Sequence, residues 1–351
     1  MATQRCGMKK TGRRQFLAQI AAAAAASGAA WADTAAAGGQ PAAPAAPAVP
    51  PAPAATAAPP APGAPAAPAA PPAPAAPAAP PAPAAPLPTI ALGKHRVTRL
   101  MAGWNPIGGY SYLGPHMDRH MKEYFTAERT AEFLLDCERE GISAHQFSPA
   151  EKTAEVLRAV RERGSKMHFI GLGSGRTAIR EMIESAQPIA LVHHGGATDR
   201  LFADGKSQDV HDFVKEAHDR GVLAGVSAHN PDCIKRIADE GWEVDLFMAC
   251  FYFLTRKKTG PSETLHVGYP FYAADPQAMT AVIRQVKQPC LGFKILAAGR
   301  MCASQQTVKE AFRFAFEHIK PADGVIVGMY PRFFDEIRAC AQYTRDYGRI
   351  A

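Results

Sequence analysis

A small set of side chains in this sequence could do chemistry at a useful spacing. His193 and His194 stand side by side and run directly into Gly195-Gly196. On an extended strand neighbouring residues face opposite sides, so only one of the two histidines can enter a given site. Ile189, Leu191 and His193 share one of those faces. The two glycines allow backbone to approach a ligand closely, as in tight anion sites. His229 lies two residues beyond Ser227, at what reads as the neighbouring strand end, where it can converge with His193. Lys294 sits between Phe293 and Ile295 in an otherwise apolar stretch. A lysine there is a reactive amine or an anion-binding ammonium. The plainer alternatives are a core histidine bonded to backbone and a lysine snorkelling past the strand end. We expect His193 and Lys294 to be the catalytic pair, His193 acting as acid or base near neutral pH. Asn105, Gln146, His194, His229, Asn230 and Tyr252 are expected to contact the substrate. Two histidines with Gln146 or Asn105 could also hold a metal, but no inward carboxylate is evident and no metal site is assigned. Arg300 reads as a surface or phosphate-type contact.

These residues need a scaffold that brings distant segments to one place. From about Arg96 short apolar stretches alternate with helical patterns. Strands are expected at 100–103, 142–147, 167–172, 188–193, 222–227, 244–251, 290–296 and 324–328. Helices are expected at 127–140, 149–163, 177–185, 209–220, 231–240, 276–286, 304–318 and 332–346, where apolar residues recur at helical spacing. Eight strand–helix units in about 255 residues predict an α/β fold, a (β/α)8 TIM barrel, with an open doubly wound sheet as the competing architecture. Chemistry then sits at the C-terminal strand ends, which is where the candidates fall. The aromatic, polar segment from Gly103 to Tyr112 and the insert 254–275, with His266, Tyr269, Phe271 and Tyr272, would lie over that mouth. Aromatics so placed suit sugar rings or other flat, partly apolar ligands, or else pack a lid; the length of the insert favours function.

The charge balance concerns the N-terminus more than the barrel. The chain has 351 residues and a formal net charge of +7. Arg5, Lys9, Lys10, Arg13 and Arg14 precede any acidic residue, so the remainder carries only +2. A nucleic-acid binder should keep its basic surface in the folded part, so that class is set aside. Residues 1–32 combine a basic start, an alanine-rich stretch and Ala30-Trp31-Ala32, the order of a secretory signal. Arg13-Arg14 with Phe16-Leu17 resembles the bacterial twin-arginine signal, which implies export of a folded, often cofactor-loaded protein through that machinery to the periplasm or cell envelope. Residues 33–88 form a Pro/Ala-rich linker, with 20 of the 31 prolines falling in 41–88 and almost nothing to bury. It is expected to be disordered. Residues 89–351 are long enough for one large core and contain no uncharged apolar run of spanning length, so the folded domain is not expected to be membrane-embedded. Six cysteines follow the signal without metal-ligand spacing. Cys137 and Cys340 fall in helical patterns, where buried free thiols are usual.

In five places the domain resembles the aldo/keto reductase superfamily. Leu92-Gly93-Lys94 with Val97 to Leu100 resembles its first hairpin and strand, and Gly141-Ile142-Ser143 the entry to strand two. Ala190 to His193 resembles strand four, Ala224 to Ser227 strand five, and Val325 to Met329 strand eight. The resemblance implies a barrel, a small carbonyl or carbohydrate-type substrate and a tightly held NADP(H), with Ser227, Gly328 and Arg332 as cofactor contacts. The catalytic set departs from the family. Its strand-two Asp falls on Gln146, its Tyr near Glu151, and its Lys near Leu172-Gly173; only His193 carries over. The strand-five Ser-Asn pair becomes Ser227-Ala228, and the strand-six Gln falls on Met248. Without the phenol, the acid step of an ordinary aldehyde reduction lacks its donor. Three functions follow. One is a redox enzyme with cofactor loaded before export. The second is a non-redox lyase, isomerase or hydrolase built on His193 and Lys294. The third is a ligand-binding barrel.

Overall fold

The computed structural model describes residues 85–256 and 269–350. The signal, most of the linker and His266 lie outside the described residues. The described chain opens with an antiparallel hairpin of β1 (Thr89–Leu92) and β2 (His95–Thr98). Its two-residue turn starts at Gly93, whose φ of 55° lies in the left-handed region that glycine adopts without strain.

Eight parallel strands follow at the expected places. They are β3 (Leu100–Ala102), β4 (Ala144–Phe147), β5 (His168–Gly173), β6 (Ala190–His193), β7 (Leu223–Ala228), β8 (Leu246–Cys250), β9 (Cys290–Phe293) and β10 (Gly324–Val327). Each pairs with its chain neighbour, and β10 pairs back onto β3, closing the barrel. The closure excludes the open doubly wound sheet. The hairpin side chains Ile90, Leu92 and Val97 plug the barrel, packing with Met101, Ala144, Ile170, Ala190, Leu246 and Leu291. The staggered register stacks inward side chains in layers drawn from alternate strands. Gln146, Val192, Met248 and Ile326 make one such layer. Gly103, Leu172, Ser227 and Phe293 make the next, nearer the mouth.

The helices run α1 (Asn105–Gly108), α2 (Pro115–Tyr124), α3 (Ala127–Arg139), α4 (Thr153–Glu162), α5 (Arg176–Ala186), α6 (Gly195–Ala203), α7 (Ser207–Asp219), α8 (Pro231–Asp239), α9 (Asp275–Gln285), α10 (Gln305–His318) and α11 (Glu336–Tyr347). Eight match the periodicity. Three do not: α1 lies in the aromatic segment from Gly103 to Tyr112, α2 lies between that segment and the first expected helix, and α6 starts on the glycine pair. Pro115 at the first position of α2 is a start signal that its aromatic surroundings obscured. Two glycines argue against a helix start by propensity. Packing overrides this, because a Cβ on Gly195 would sit 2.9 Å from Ser227 Oγ.

Two features tie the bottom of the barrel. Arg99 is buried and donates to the carbonyls of Asp323 (2.7 Å), Gly348 (2.9 Å) and Lys320 (3.0 Å). Leu87 is buried as well, and Pro88 accepts from the Arg99 N–H at 2.8 Å. The last residues assigned to the linker therefore pack on the domain. The six cysteines from Cys137 onward are free, and all but Cys302 are buried. No helix among the described residues is long and apolar enough to cross a membrane.

Candidate active site

The adjacent histidines separate as strand alternation requires, but with the opposite assignment to the expected one. His193 faces the helix layer. Its Nδ1 lies 2.7 Å from Thr198 Oγ1, its ring meets Phe213 edge-on at 5.1 Å, and only 2% of the residue is exposed. Burial, followed by the positive neighbours His194 and Arg200, pushes it down to about 4. His193 is thus neutral near pH 7 and does not meet Lys294 across the mouth. The sequence reading failed here because β6 is apolar on both faces, so alternation fixes the spacing without fixing the phase.

His194 is the member that opens onto the mouth. Burial pushes its pKa down, and the charges of His229 and Lys294 add to that effect while Asp199 opposes it. His229 directly follows β7 and is mostly buried, its ring 5.7 Å from that of Phe293. Its Nδ1 lies 3.0 Å from Asp199 Oδ2. The same carboxylate accepts from the backbone N–H of His229 (3.0 Å) and of Asn230 (3.2 Å) and from the Thr255 hydroxyl (2.8 Å). Because Asp199 is the acceptor throughout, the His229 hydrogen resides on Nδ1 and the lone pair on Nε2. Nε2 makes no hydrogen bond to the described residues. Asp199 corrects the expectation that no carboxylate reaches the mouth. It comes from α6, the helix that the glycine pair concealed, and its one sequence signal is its position five residues beyond His194.

Lys294 does not belong to a strand. β9 stops at Phe293, and Lys294 turns into the left-handed region with φ 59°. Its Nζ lies 4.4 Å from the ring centre of Tyr112 and 5.0 Å from that of Phe293, so its ammonium is seated on aromatic faces at the rim. Arg300 stacks on Phe271 at 3.9 Å and donates to the Tyr112 carbonyl at 3.2 Å. The aromatic loops expected over the mouth therefore do meet these cations.

Beneath them are two buried polar atoms without partners among the described residues, Ser227 Oγ and Gln146 Nε2, on residues 1% and 5% exposed. Gln146 reaches into the barrel as expected, and Gly103 in the layer above puts no side chain over it. Buried polar atoms without partners are rare enough to mark a place that a ligand or water satisfies.

The other candidates take lesser roles. Asn230 caps α8, its side chain accepting from Asp232 N–H at 3.0 Å. Tyr252 is buried with its ring 5.0 Å from Phe271, and burial, then Cys250 and Asp275, raise its pKa. Asn105 begins α1 half-buried, its carbonyl accepting from Tyr110 N–H at 2.8 Å. Gly328 is explained by packing, since a Cβ there would sit 2.6 Å from Pro106 Cδ. Arg332 is exposed and lies over the rings of Tyr124 and Phe333. Among the described residues no three His, Cys, Asp or Glu side chains are grouped to hold a metal.

No family model matches this chain, and no curated protein matches it. Solved structures of low identity do align. A glycerol dehydrogenase of Gluconobacter oxydans is 12% identical with a TM-score of 0.45, over 75% of this chain and 97% of that one. A dihydropteroate synthase of Thermus thermophilus is 12% identical with a TM-score of 0.45, over 74% and 98%. A truncated 3-deoxy-D-arabino-heptulosonate 7-phosphate synthase of Thermotoga maritima is 15% identical with a TM-score of 0.41, over 74% and 90%. The assignment as a TIM barrel stands on the closed strand register.

Proposed function

We propose that the chain is an exported enzyme that moves protons on a small carbonyl- or hydroxyl-bearing, carbohydrate-type molecule at the barrel mouth. The observation that carries this is the His229–Asp199 pair. A carboxylate fixed by three further donors holds the imidazole in one tautomer and leaves Nε2 as the proton acceptor, the usual build of a general base. In this reading His229 replaces His193, and Lys294 supplies positive charge or a donor to the oxygen that gains charge. Asn105, at the start of α1, and Gln146, in β4, contact the substrate in this reading.

The test is proton exchange. Hydroxycarbonyl compounds and simple sugars are incubated with the full chain in deuterium oxide and followed by proton NMR. Exchange or turnover should fall by about 10²–10⁴ in His229→Gln, with the melting curve unchanged. Equal rates in the variant, or no reaction with any compound, would sink the proposal.

The nicotinamide alternative finds only part of a site. Ser227 offers a free hydroxyl, but Gly328 is occupied in packing against Pro106 and Arg332 in covering aromatic rings. These residues do not together fit NADP(H), and no redox step is derived through it. Near-ultraviolet absorbance of the purified protein, if it showed a reduced nicotinamide, would reverse that preference. Export rests on the Arg13-Arg14 signal. Replacing both arginines by lysine should hold the protein in the cytoplasmic fraction, and unchanged export would remove the twin-arginine route.

A further inference from the structure

Three features on one side of the mouth call for the same kind of ligand. The first is the start of α6. Its nine residues begin at Gly195, and no side chain caps the first turn. The leading N–H groups of a helix have no partner within it, and the dipole adds partial positive charge there.

The second feature is Ser227, whose Oγ lies against that turn. The Cβ absent from Gly195 would sit 2.9 Å from this oxygen and 3.2 Å from His229 Cε1. The hydroxyl is fully buried and has no partner among the described residues. The glycine thus brings the start of α6 directly against a donor that no described residue uses.

The third feature is the charge nearby. Lys294, seated on the Tyr112 and Phe293 rings, lies close enough to His194 for its charge to act on the imidazole. Asp199, the carboxylate on this side, is taken up by His229, Asn230 and Thr255. The uncommitted groups are therefore donors and cations.

We propose that this side of the mouth is an anion subsite, which holds a carboxylate or phosphate group of the substrate against the Gly195–Gly196 turn, Ser227 Oγ and Lys294 Nζ. Helix starts bind such groups readily where the donors converge. The rest of the molecule would then extend toward His229 and Gln146. The inference rests on the reading that substrate binds at this mouth, but it concerns binding and leaves the proton transfer aside. It narrows the substrate class to small acids or phosphate esters that also carry hydroxyl or carbonyl groups.

Calorimetric titration of the full chain with inorganic phosphate and, separately, with malonate tests it. At least one probe should bind at millimolar concentration; preference for phosphate indicates a phosphate ester and preference for malonate a carboxylic acid. Ser227→Ala and Lys294→Met should each weaken that binding by about tenfold, and Gly195→Ala should abolish it by pushing Ser227 Oγ away from the turn. Lys309→Ala, on the outer helix α10, should leave it unchanged. Melting curves of Ser227→Ala and Lys294→Met near that of the parent chain establish that both variants are folded. Failure of both probes to bind, or binding indifferent to Ser227→Ala and Lys294→Met, overturns the subsite. His229→Gln should lose turnover yet retain anion binding. Anion binding absent while His229-dependent turnover persists would remove the subsite and leave the proposed proton transfer standing.

Discussion

His145 and His193 lie in the layer between barrel and helices, and burial pushes each down to about 4 from an ordinary 6.5. His145 is fully buried, with Nδ1 3.0 Å from the Ala102 carbonyl and Nε2 unpartnered. The unfolded chain therefore binds more protons than the native state between those two values, so stability must fall as pH drops from about 6.5 to about 4. Below that interval the two histidines contribute no further change. Each could account for up to roughly 3 kcal/mol across the window. Urea denaturation at several pH values should show a shallower slope for His145→Asn than for the parent chain. An identical slope would mean that acid lability comes from other groups.

At the scale of elements, α6 does more than cover β6. It carries Asp199 to the end of β7, and that one side chain joins α6, the β7–α8 turn and Thr255 after β8. Removing it leaves several buried donors without an acceptor. Asp199→Ala should lower the unfolding free energy by about 3 kcal/mol, in the range for breaking a buried hydrogen-bonded charge, measured as the urea midpoint at constant slope. A loss well under 1 kcal/mol would show that water replaces the carboxylate easily, and that the His229 tautomer is less firmly held than the geometry suggests. Gly195 opens α6, and its lack of a side chain lets the helix pack against Ser227 Oγ, which would lie 2.9 Å from a Cβ there.

Across the whole molecule, the hairpin and the chain that leads into it complete the barrel floor. Leu87 is buried, Pro88 accepts from the Arg99 N–H, and the Ala85 carbonyl accepts from Arg345 Nε at 2.6 Å. The folded unit therefore includes residues 85–88, which the sequence reading assigned to the linker. A chain beginning at Thr89 should be less stable by about 2 kcal/mol than one beginning at Ala85, chiefly from exposing the Leu87 side chain. Equal urea midpoints would return those four residues to the linker.

The sequence by itself determined the number, order and approximate bounds of the eight barrel strands and of eight helices, because a period of two or of 3.6 is a local property that survives without knowing the partners. It also located the mouth, since strand C-termini follow from chain direction. Which side chains enter that mouth was decided by the tertiary structure alone. Strands such as Ala190-Leu191-Val192 are apolar on both faces, so their phase about the barrel axis emerges only when the register closes. Lys294 leaves the strand through a left-handed turn that a lysine does not announce. Asp199 reaches His229 across 30 residues of sequence, a contact made by the packing of α6 on β7 and by nothing local to either.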